Sequence, residues 1–356
     1  MTQFTDKVIV ITGGTGSLGK VLTRRLLQNT ELAPGKIIIF SRDEAKQHQM
    51  RVEYQHKIKA TDEVIYDNFE RLIQFRIGDI RNYHSVCSVL KEADIVVNAA
   101  ALKQVPSCEY FPFEAVQTNI IGAENIVRAI VEQNLNVETV VGVSTDKACK
   151  PVNTMGMTKA IQERILSVAN IYAPKTRFIC VRYGNVLASR GSVIPLFHEQ
   201  IKIGGPLTIT TPEMTRFLLP LERAVDTVLE AIQRARCGEI YIPKVPAARI
   251  LDVAKVLIGE RNIEIQITGI RPGEKVHESL VSQEEAWHTF ERGDYYAIQP
   301  MLPELKRDGN GDLTEPLGCA YSSGDCLMTF EETKQLLTRY QLVNHNDFSN
   351  EGDYLR

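Results

Sequence analysis

No stretch of this 356-residue sequence stays apolar for the roughly 20 positions that a bilayer-spanning helix needs, and its mean hydropathy is −0.14. Membrane insertion is therefore not expected. Charge of one sign is also missing: 41 Lys and Arg against 44 Asp and Glu leave a net charge of −3, with no basic tail or stripe. A nucleic-acid partner would find no electrostatic footprint here. The cysteines Cys87, Cys108, Cys149, Cys180, Cys237, Cys319 and Cys326 are odd in number and form no Cys-x-x-Cys pair. That pattern suggests neither a disulfide framework nor a metal site, and reduced thiols in a cytoplasmic protein are the simplest reading. The opening MTQFTDKVIVITGG has no basic region followed by a long apolar stretch, so it is not read as a signal peptide. Internal repeats and low-complexity tracts are absent.

What remains is a regular alternation. Lys7–Thr12, Lys36–Phe40, Leu72–Ile77, Ile95–Ala99, Thr139–Val143 and Arg177–Arg182 are short, β-branched and nearly continuously apolar, as strands buried on both faces should be. Between them Leu18–Gln28, Glu114–Gln133 and Thr158–Asn170 carry apolar residues at helical spacing. Strands alternating with helices predict a doubly wound parallel α/β sheet with helices on both faces. The polar segment Glu44–Arg71 predicts a helix with an exposed extension over Ala60–Asp67. After residue 187 Pro and Gly cluster at 204–212, 243–246 and 271–273, the composition of a smaller lobe. The expected organisation is a cofactor domain over 1–187, with 218–247 returning to it. A substrate lobe over 188–300 and a polar appendage over 301–356, with a helix near Phe330–Tyr340, complete it.

Gly13, Gly14, Gly16 and Gly19 follow the first strand and open the first helix. Both Gly14-x-Gly16-x-x-Gly19 and Gly13-x-x-Gly16-x-x-Gly19 fit dinucleotide-binding spacings, in a Rossmann-like setting. The glycines permit a tight turn and close approach of a pyrophosphate, while the helix N-terminus supplies N–H donors and partial positive charge. The second strand ends Phe40-Ser41-Arg42-Asp43. A hydroxyl and a guanidinium there suit the 2′-phosphate of NADP; Asp43 keeps NAD as the alternative. Asp79, in Gly78-Asp79-Ile80, could take the adenine amino group or cap a helix.

Thr12–Gly19, Asn98-Ala99-Ala100-Ala101, Ser144-Thr145-Asp146-Lys147 and Arg182-Tyr183-Gly184-Asn185-Val186 occur in order. With them the chain resembles the extended short-chain dehydrogenase/reductases. It is most similar to the bacterial 5-inverting UDP-N-acetylglucosamine 4,6-dehydratases, through AAALKQVPSCEYFPFEAVQTN, STDKACKPVN, RYGNVLASRGSVIPLF, PLTITTPEMTRF and RPGEKVHE. The resemblance covers about residues 6–300. One departure stands out. The superfamily's Tyr-x-x-x-Lys is here Met155-Gly156-Met157-Thr158-Lys159, as in the capsule and L-fucosamine branch, and a thioether can neither accept nor deliver a proton.

The resemblance implies a tightly bound NADP held by Gly13, Thr15, Gly16, Ser17, Leu18, Gly19, Ser41, Arg42, Asp79, Ile80, Ala99, Ala100, Lys103, Asn119 and Lys159. It places catalysis at Thr145, Asp146, Lys147, Met155, Lys159 and Lys103. UDP-N-acetylglucosamine would lie against Lys103, Tyr183, Asn185, Arg190, Val193, Thr208, Arg216, Arg271 and Glu274, with Arg182 a further candidate for the diphosphate. Asp146 is expected to protonate the C6 leaving group and Lys147 to work at C5, its pKa brought toward neutrality by a cationic neighbour and desolvation. Cys108 is a possible acid/base stand-in or a packed thiol, and His277 and Trp287 are read as structural. The implied product is the 4-keto-6-deoxy L-arabino sugar, made by a homo-oligomer with 44–71 as a contact. A nucleotide-sugar epimerase or reductase, or a non-catalytic nucleotide-binding homologue, are the alternative readings.

Overall fold

Apolar β-branched runs bury both faces only inside a parallel sheet covered by helices, and that is where the computed structural model puts them. It describes residues 4–28, 33–55, 65, 68–187, 192–305 and 315–343. Arg190 and most of the extension expected over Ala60–Asp67 lie outside the described residues. Strands β1 (Val8–Thr12), β2 (Lys36–Ser41), β3 (Ile73–Ile77), β4 (Ile95–Asn98), β5 (Thr139–Val143) and β6 (Arg177–Val181) run parallel. β7 (Ile240–Pro243) continues the sheet parallel to β6, and the hairpin β8 (Thr289–Arg292) and β9 (Tyr295–Ile298) closes its edge antiparallel. The order is β8-β9-β7-β6-β5-β4-β1-β2-β3, so the direction of winding reverses between β1 and β4. The doubly wound Rossmann-like α/β fold is therefore present, and in such folds ligands sit at the carboxyl ends of the strands beside that reversal.

The period of two along each strand divides the core. Ile9, Ile11, Ile37 and Ile39 face α1 (Ser17–Gln28) through Leu22 and Leu26, whereas Val10, Ile38, Val96 and Val140 face the opposite layer. Beyond α2 (Glu44–Gln55), that layer is built by α3 (Tyr83–Leu90), α4 (Gly122–Glu132) and α5 (Thr154–Tyr172), through Val86, Ile126 and Leu166. A π-helical segment, Val116–Ile121, leads into α4 and bends the chain beside α5.

The second lobe starts where Asn185–Val186 leaves the sheet. It comprises α6 (Val193–Lys202), a three-stranded sheet of Asn185–Val186, Thr215–Leu219 and Ala247–Arg249, and the parallel pair Leu207–Ile209 and Ile265–Ile267. α7 (Leu221–Arg234) packs on α1, β5 and β6, and β7 follows it into the large sheet. The core of the lobe joins Phe197 and Ile201 of α6 to Val253 and Leu257 of α8 (Ile250–Ile258).

Residues 315–343 differ from the polar appendage that their composition suggests. Tyr321–Ser322 pairs antiparallel with Ser279–Val281, and α9 (Phe330–Arg339) starts at a Thr329–Glu332 capping box. From there Leu337 and Leu342 reach the core of the lobe, with Leu337 fully buried. Their few apolar positions are diluted among charges, so composition hides the one stripe that docks. Leu337→Ala is expected to cost about 2–5 kcal/mol of stability, measured by chemical denaturation. A loss below about 0.5 kcal/mol, the range of an ordinary surface change, would return this segment to appendage status.

Candidate active site

The glycine turn meets the requirements of a phosphate cradle. Gly13 has φ +65°, and a Cβ there would sit 2.8 Å from the Ala100 backbone, a conformation and approach only glycine tolerates. A Cβ on Gly19 would lie 2.4 Å from the Gly14 carbonyl oxygen, so α1 can press against the turn only as glycine. The Gly13, Gly16 and Gly19 spacing is thus the one that sets the geometry. Thr12 Oγ1 donates to Asn98 Oδ1 at 2.7 Å and accepts from Ala100 N–H at 3.3 Å, tying the ends of β1 and β4 together beneath Ala99 and Ala100. Thr15, Ser17 and Leu18 continue the turn, and the first-turn N–H groups of α1 lack intrahelical partners. Those donors, at the carboxyl end of β1 beside the winding reversal, fit a dinucleotide's diphosphate.

At the end of β2 the alternatives separate. Asp43 is occupied: it accepts from Lys46 N–H at 3.0 Å and pairs with the Lys46 ammonium at 2.8 Å, which holds its carboxyl below the usual carboxylate range. Ser41 is buried and accepts from the Gln47 amide, whereas Arg42 is exposed. Asp79 is neither a free adenine acceptor nor a simple cap. Burial raises its pKa, but the fork of Arg81, 2.7 Å away, more than offsets that, and Arg81 also pairs with Glu114. The Ile80 side chain is in the core, and its carbonyl accepts from Asn125.

Across the reversal point, β5 ends in Ser144 and a 3-10 turn, Asp146–Ala148. Asp146 is fully buried; its Oδ1 accepts from Thr145 Oγ1 at 2.9 Å and from Lys147 Nζ at 3.0 Å, while its Oδ2 has no partner. Gly184 lies beside that oxygen, where a Cβ would come within 3.2 Å. Lys147 Nζ also lies 3.5 Å from Glu278 Oε1. Burial pulls the lysine's pKa down, but Asp146 and Glu278 outweigh both burial and the nearby Arg216, so it rises above its ordinary value. The expected shift toward neutrality is corrected, because the close neighbours are carboxylates.

α5 begins against this turn: a Cβ on Gly156 would be 2.2 Å from the Lys147 carbonyl oxygen. Asn153 caps the helix by accepting from Gly156 N–H at 2.8 Å. Met155 is buried in a small apolar cluster with Cys108 and Ala115. Cys108 donates to the Leu102 carbonyl and burial pushes its thiol up to about 11, so it is a packed thiol and no acid/base stand-in. Asn119 is corrected as well. It is fully buried, and its amide holds Leu102 N–H, Leu102 C=O and Thr158 Oγ1, so it anchors the loop carrying exposed Lys103 and offers no atom to a cofactor. Lys159 is buried and donates to Gln162 Oε1 at 2.6 Å.

Among the substrate candidates, Arg182 is the clearest correction. It is 1% exposed and forks onto Glu163 and Glu285 at 2.7 and 2.8 Å, so it braces α5 to the segment after Ser282 and cannot clamp a diphosphate. Tyr183 is also buried in the main core. Asn185 has a buried Oδ1 without a hydrogen-bond partner. Arg216 donates to the carbonyls of Thr215 and Val276 close to Lys147. Thr208 accepts from Gln200, Val193 opens α6, and Glu274 reaches Thr210 and the Arg271 backbone, with Arg271 itself exposed. His277 is exposed but bonded to Thr215; Trp287, read as structural, is 62% exposed.

Residues 9–300 match the sequence profile of a family described as polysaccharide biosynthesis protein. The chain belongs to that family. A relative from Rickettsia bellii strain OSU 85-389, named UDP-glucose 4-epimerase, is 47% identical over 352 residues, covering 96% of this chain and 98% of that one. The X-ray structure of Pen from Bacillus thuringiensis superposes with a TM-score of 0.84 at 36% identity, covering 96% and 99% of the two chains. DesIV, the dTDP-glucose 4,6-dehydratase from Streptomyces venezuelae solved with NAD and TYD, has a TM-score of 0.63 at 19% identity, over 76% of this chain and 86% of that one, and shares the fold.

For this polysaccharide biosynthesis protein, sequence reasoning missed Glu278 and Ser323. Glu278 ends the motif RPGEKVHE, and its place in that stretch was the available signal; Ser323, in the segment read as an appendage, gave none. The described residues contain no group of three His, Cys, Asp or Glu side chains fit to hold a metal, and no helix long and apolar enough to cross a membrane. All seven cysteines are free thiols.

Burial lowers Lys159 from its ordinary 10.5 to about 8, against the opposing pull of Cys180 and Glu163. With the folded value below the unfolded one, stability falls as pH falls from 10.5 to about 8 and levels off below. Urea titrations across that window are expected to show this dependence in the wild type and its loss in Lys159→Met. Parallel curves for the two proteins would mean that Lys159 titrates normally.

Proposed function

We propose that this protein is an NADP-dependent UDP-N-acetylglucosamine 4,6-dehydratase that inverts C5. The observation that carries this reading is the pair of buried Asp146 and half-buried Lys147, 3.0 Å apart, with one carboxylate oxygen left unpartnered. Elimination across C5 and C6 needs a base and an acid together. One proton moving from Lys147 Nζ to Asp146 Oδ1 makes both, leaving a neutral amine and a carboxylic acid. A bound substrate that excludes water favours this uncharged arrangement over the ion pair. Lys147 then takes the C5 proton, Asp146 protonates the departing C6 hydroxyl, and a solvent-derived proton reaches C5 from the opposite face, which inverts it. A bound nicotinamide dinucleotide would take a hydride from C4 and return one to C6. Lys159 would lie along its ribose, with the cradle of Gly13, Gly16 and Gly19 under its diphosphate. Met155 supplies no proton, so the C4 hydroxyl proton leaves through Asp146, the Thr145 hydroxyl or water.

A second reading, a nucleotide-sugar 4-epimerase in a cytoplasmic setting, is favoured by the name of the Rickettsia relative. It needs hydride transfer at C4 and no acid for a leaving hydroxyl. Incubation with UDP-N-acetylglucosamine in D2O without added cofactor distinguishes the two by mass and proton NMR. Loss of one water with deuterium at C5 and inverted couplings is expected, whereas an epimer of unchanged mass would establish the second reading. Lys147→Ala is expected to lower turnover by about 10²–10⁴-fold, the usual contribution of a positioned acid or base, while Met155→Ala stays active. The opposite pattern would overturn the roles.

The occupied Asp43 and exposed Arg42 support NADP over NAD. Arg42→Ala should weaken NADPH binding about 10–100-fold, the loss of one charge-assisted hydrogen bond, and leave NADH binding nearly unchanged in fluorescence titrations. Equal loss for both nucleotides would remove Arg42 from the 2′-phosphate.

A further inference from the structure

We propose that Glu278 is a positioning residue for this reaction, a buried counter-ion that holds the Lys147 ammonium beside Asp146 and governs its proton exchange. The proposal rests on the dehydratase reading for its chemistry, but its geometry stands alone. Glu278 is 2% exposed; Oε1 lies 3.5 Å from Lys147 Nζ, and Oε2 is buried without a hydrogen-bond partner, 3.8 Å from Lys275 Nζ. Two ammonium groups, those of Lys147 and Lys275, face this buried carboxylate. The Lys275 ammonium is itself fixed, donating to the Cys149 carbonyl at 2.7 Å.

The backbone of Glu278 is clamped. Its N–H donates to Ser323 Oγ at 3.0 Å and its carbonyl accepts from Ser323 N–H at 2.8 Å. Ser323 is fully buried, and its hydroxyl is bonded to Thr215, whose hydroxyl meets His277. The C-terminal segment therefore places the carboxylate, through the strand pair of Ser279–Val281 and Tyr321–Ser322. The charged groups around Lys147 are Asp146 on its own turn, Glu278 from the second lobe and Arg216 from the strand Thr215–Leu219. Those around Glu278 are Lys147 and Lys275.

Two carboxylates on one ammonium make the charged amine the resting state. Glu278 keeps the proton on Lys147 until substrate shields the pair, so the proton passes to Asp146 and is not lost to solvent. Removing that charge moves the deprotonation of Lys147 to lower pH.

The test compares wild type, Glu278→Gln and Glu278→Asp by trace acylation of lysines with acetic anhydride across pH, read by peptide mass spectrometry. The Lys147 labelling midpoint should fall by at least about one pH unit in E278Q, a tenfold change in proton affinity, and stay near wild type in E278D. The basic limb of kcat/KM should move with it. An unmoved midpoint in E278Q, or an equal shift in E278D, overturns the proposal. Lys275→Met, which leaves Glu278 to Lys147 alone, should move the midpoint upward and serves if E278Q does not fold; no upward movement would also overturn it. A shifted midpoint in a protein that never dehydrates UDP-N-acetylglucosamine would keep the counter-ion and dismiss the dehydratase reading. Turnover with an unmoved midpoint would do the reverse.

Discussion

Lys147 carries one positive charge into a cleft where about a fifth of its side chain still meets water, 20% by exposure, and two buried carboxylates, Asp146 and Glu278, meet it there. Burial pulls against the charge on the ammonium, and the two carboxylates hold it there, each in turn facing that one cation. That mutual requirement constrains the fold around it. Asp146 comes from the end of a central strand, Glu278 from the smaller lobe, and the two lobes must close on each other to within hydrogen-bonding distance of one side chain. Gly156 and Gly184 follow from the same constraint, since a methyl group at either would intrude on the Lys147 backbone or the free Asp146 oxygen.

A second buried charge cluster holds the frame. Arg182 sits between Glu163 and Glu285, whose two carboxylates offset the cost of burying its guanidinium and hold its pKa above the ordinary value. Removing the guanidinium would leave two buried carboxylates without their cation, a cost of about 3–5 kcal/mol. The triad ties α5, which carries Lys159 and Met155, to the chain just beyond Glu278. The two clusters thus share their supports. Met155 fits this arrangement as an apolar plug with Cys108 and Ala115, and the proton work proposed for the site falls to groups on the Asp146 turn.

Much of this was legible in the residues. The period-two apolar strands, the glycine turn and the Asp146–Lys147 adjacency name an α/β fold and its reactive end, because local backbone geometry and strand-end placement follow from short-range pattern. Arg182 and Asn119 were misread for one reason: a polar residue in a functional stretch looks the same whether it faces a ligand or a buried partner far away in the chain. Glu163 and Glu285 decide the first case, Leu102 and Thr158 the second. Residues 315–343 were misjudged because a few apolar side chains among many charges do not register in composition, although one fully buried Leu337 suffices to dock a helix.

The sequence by itself determined the alternation of strands and helices in the opening half, the glycine turn that opens α1, and the placing of an acid beside a lysine after β5. Those depend on neighbours within a few residues. Tertiary structure alone decided which charges confront each other. It set Glu278 against Lys147, forked Arg182 onto Glu163 and Glu285, and brought Ser323 to the backbone of Glu278. Electrostatic energy depends on distance and on exclusion of water, and neither is defined until the lobes pack.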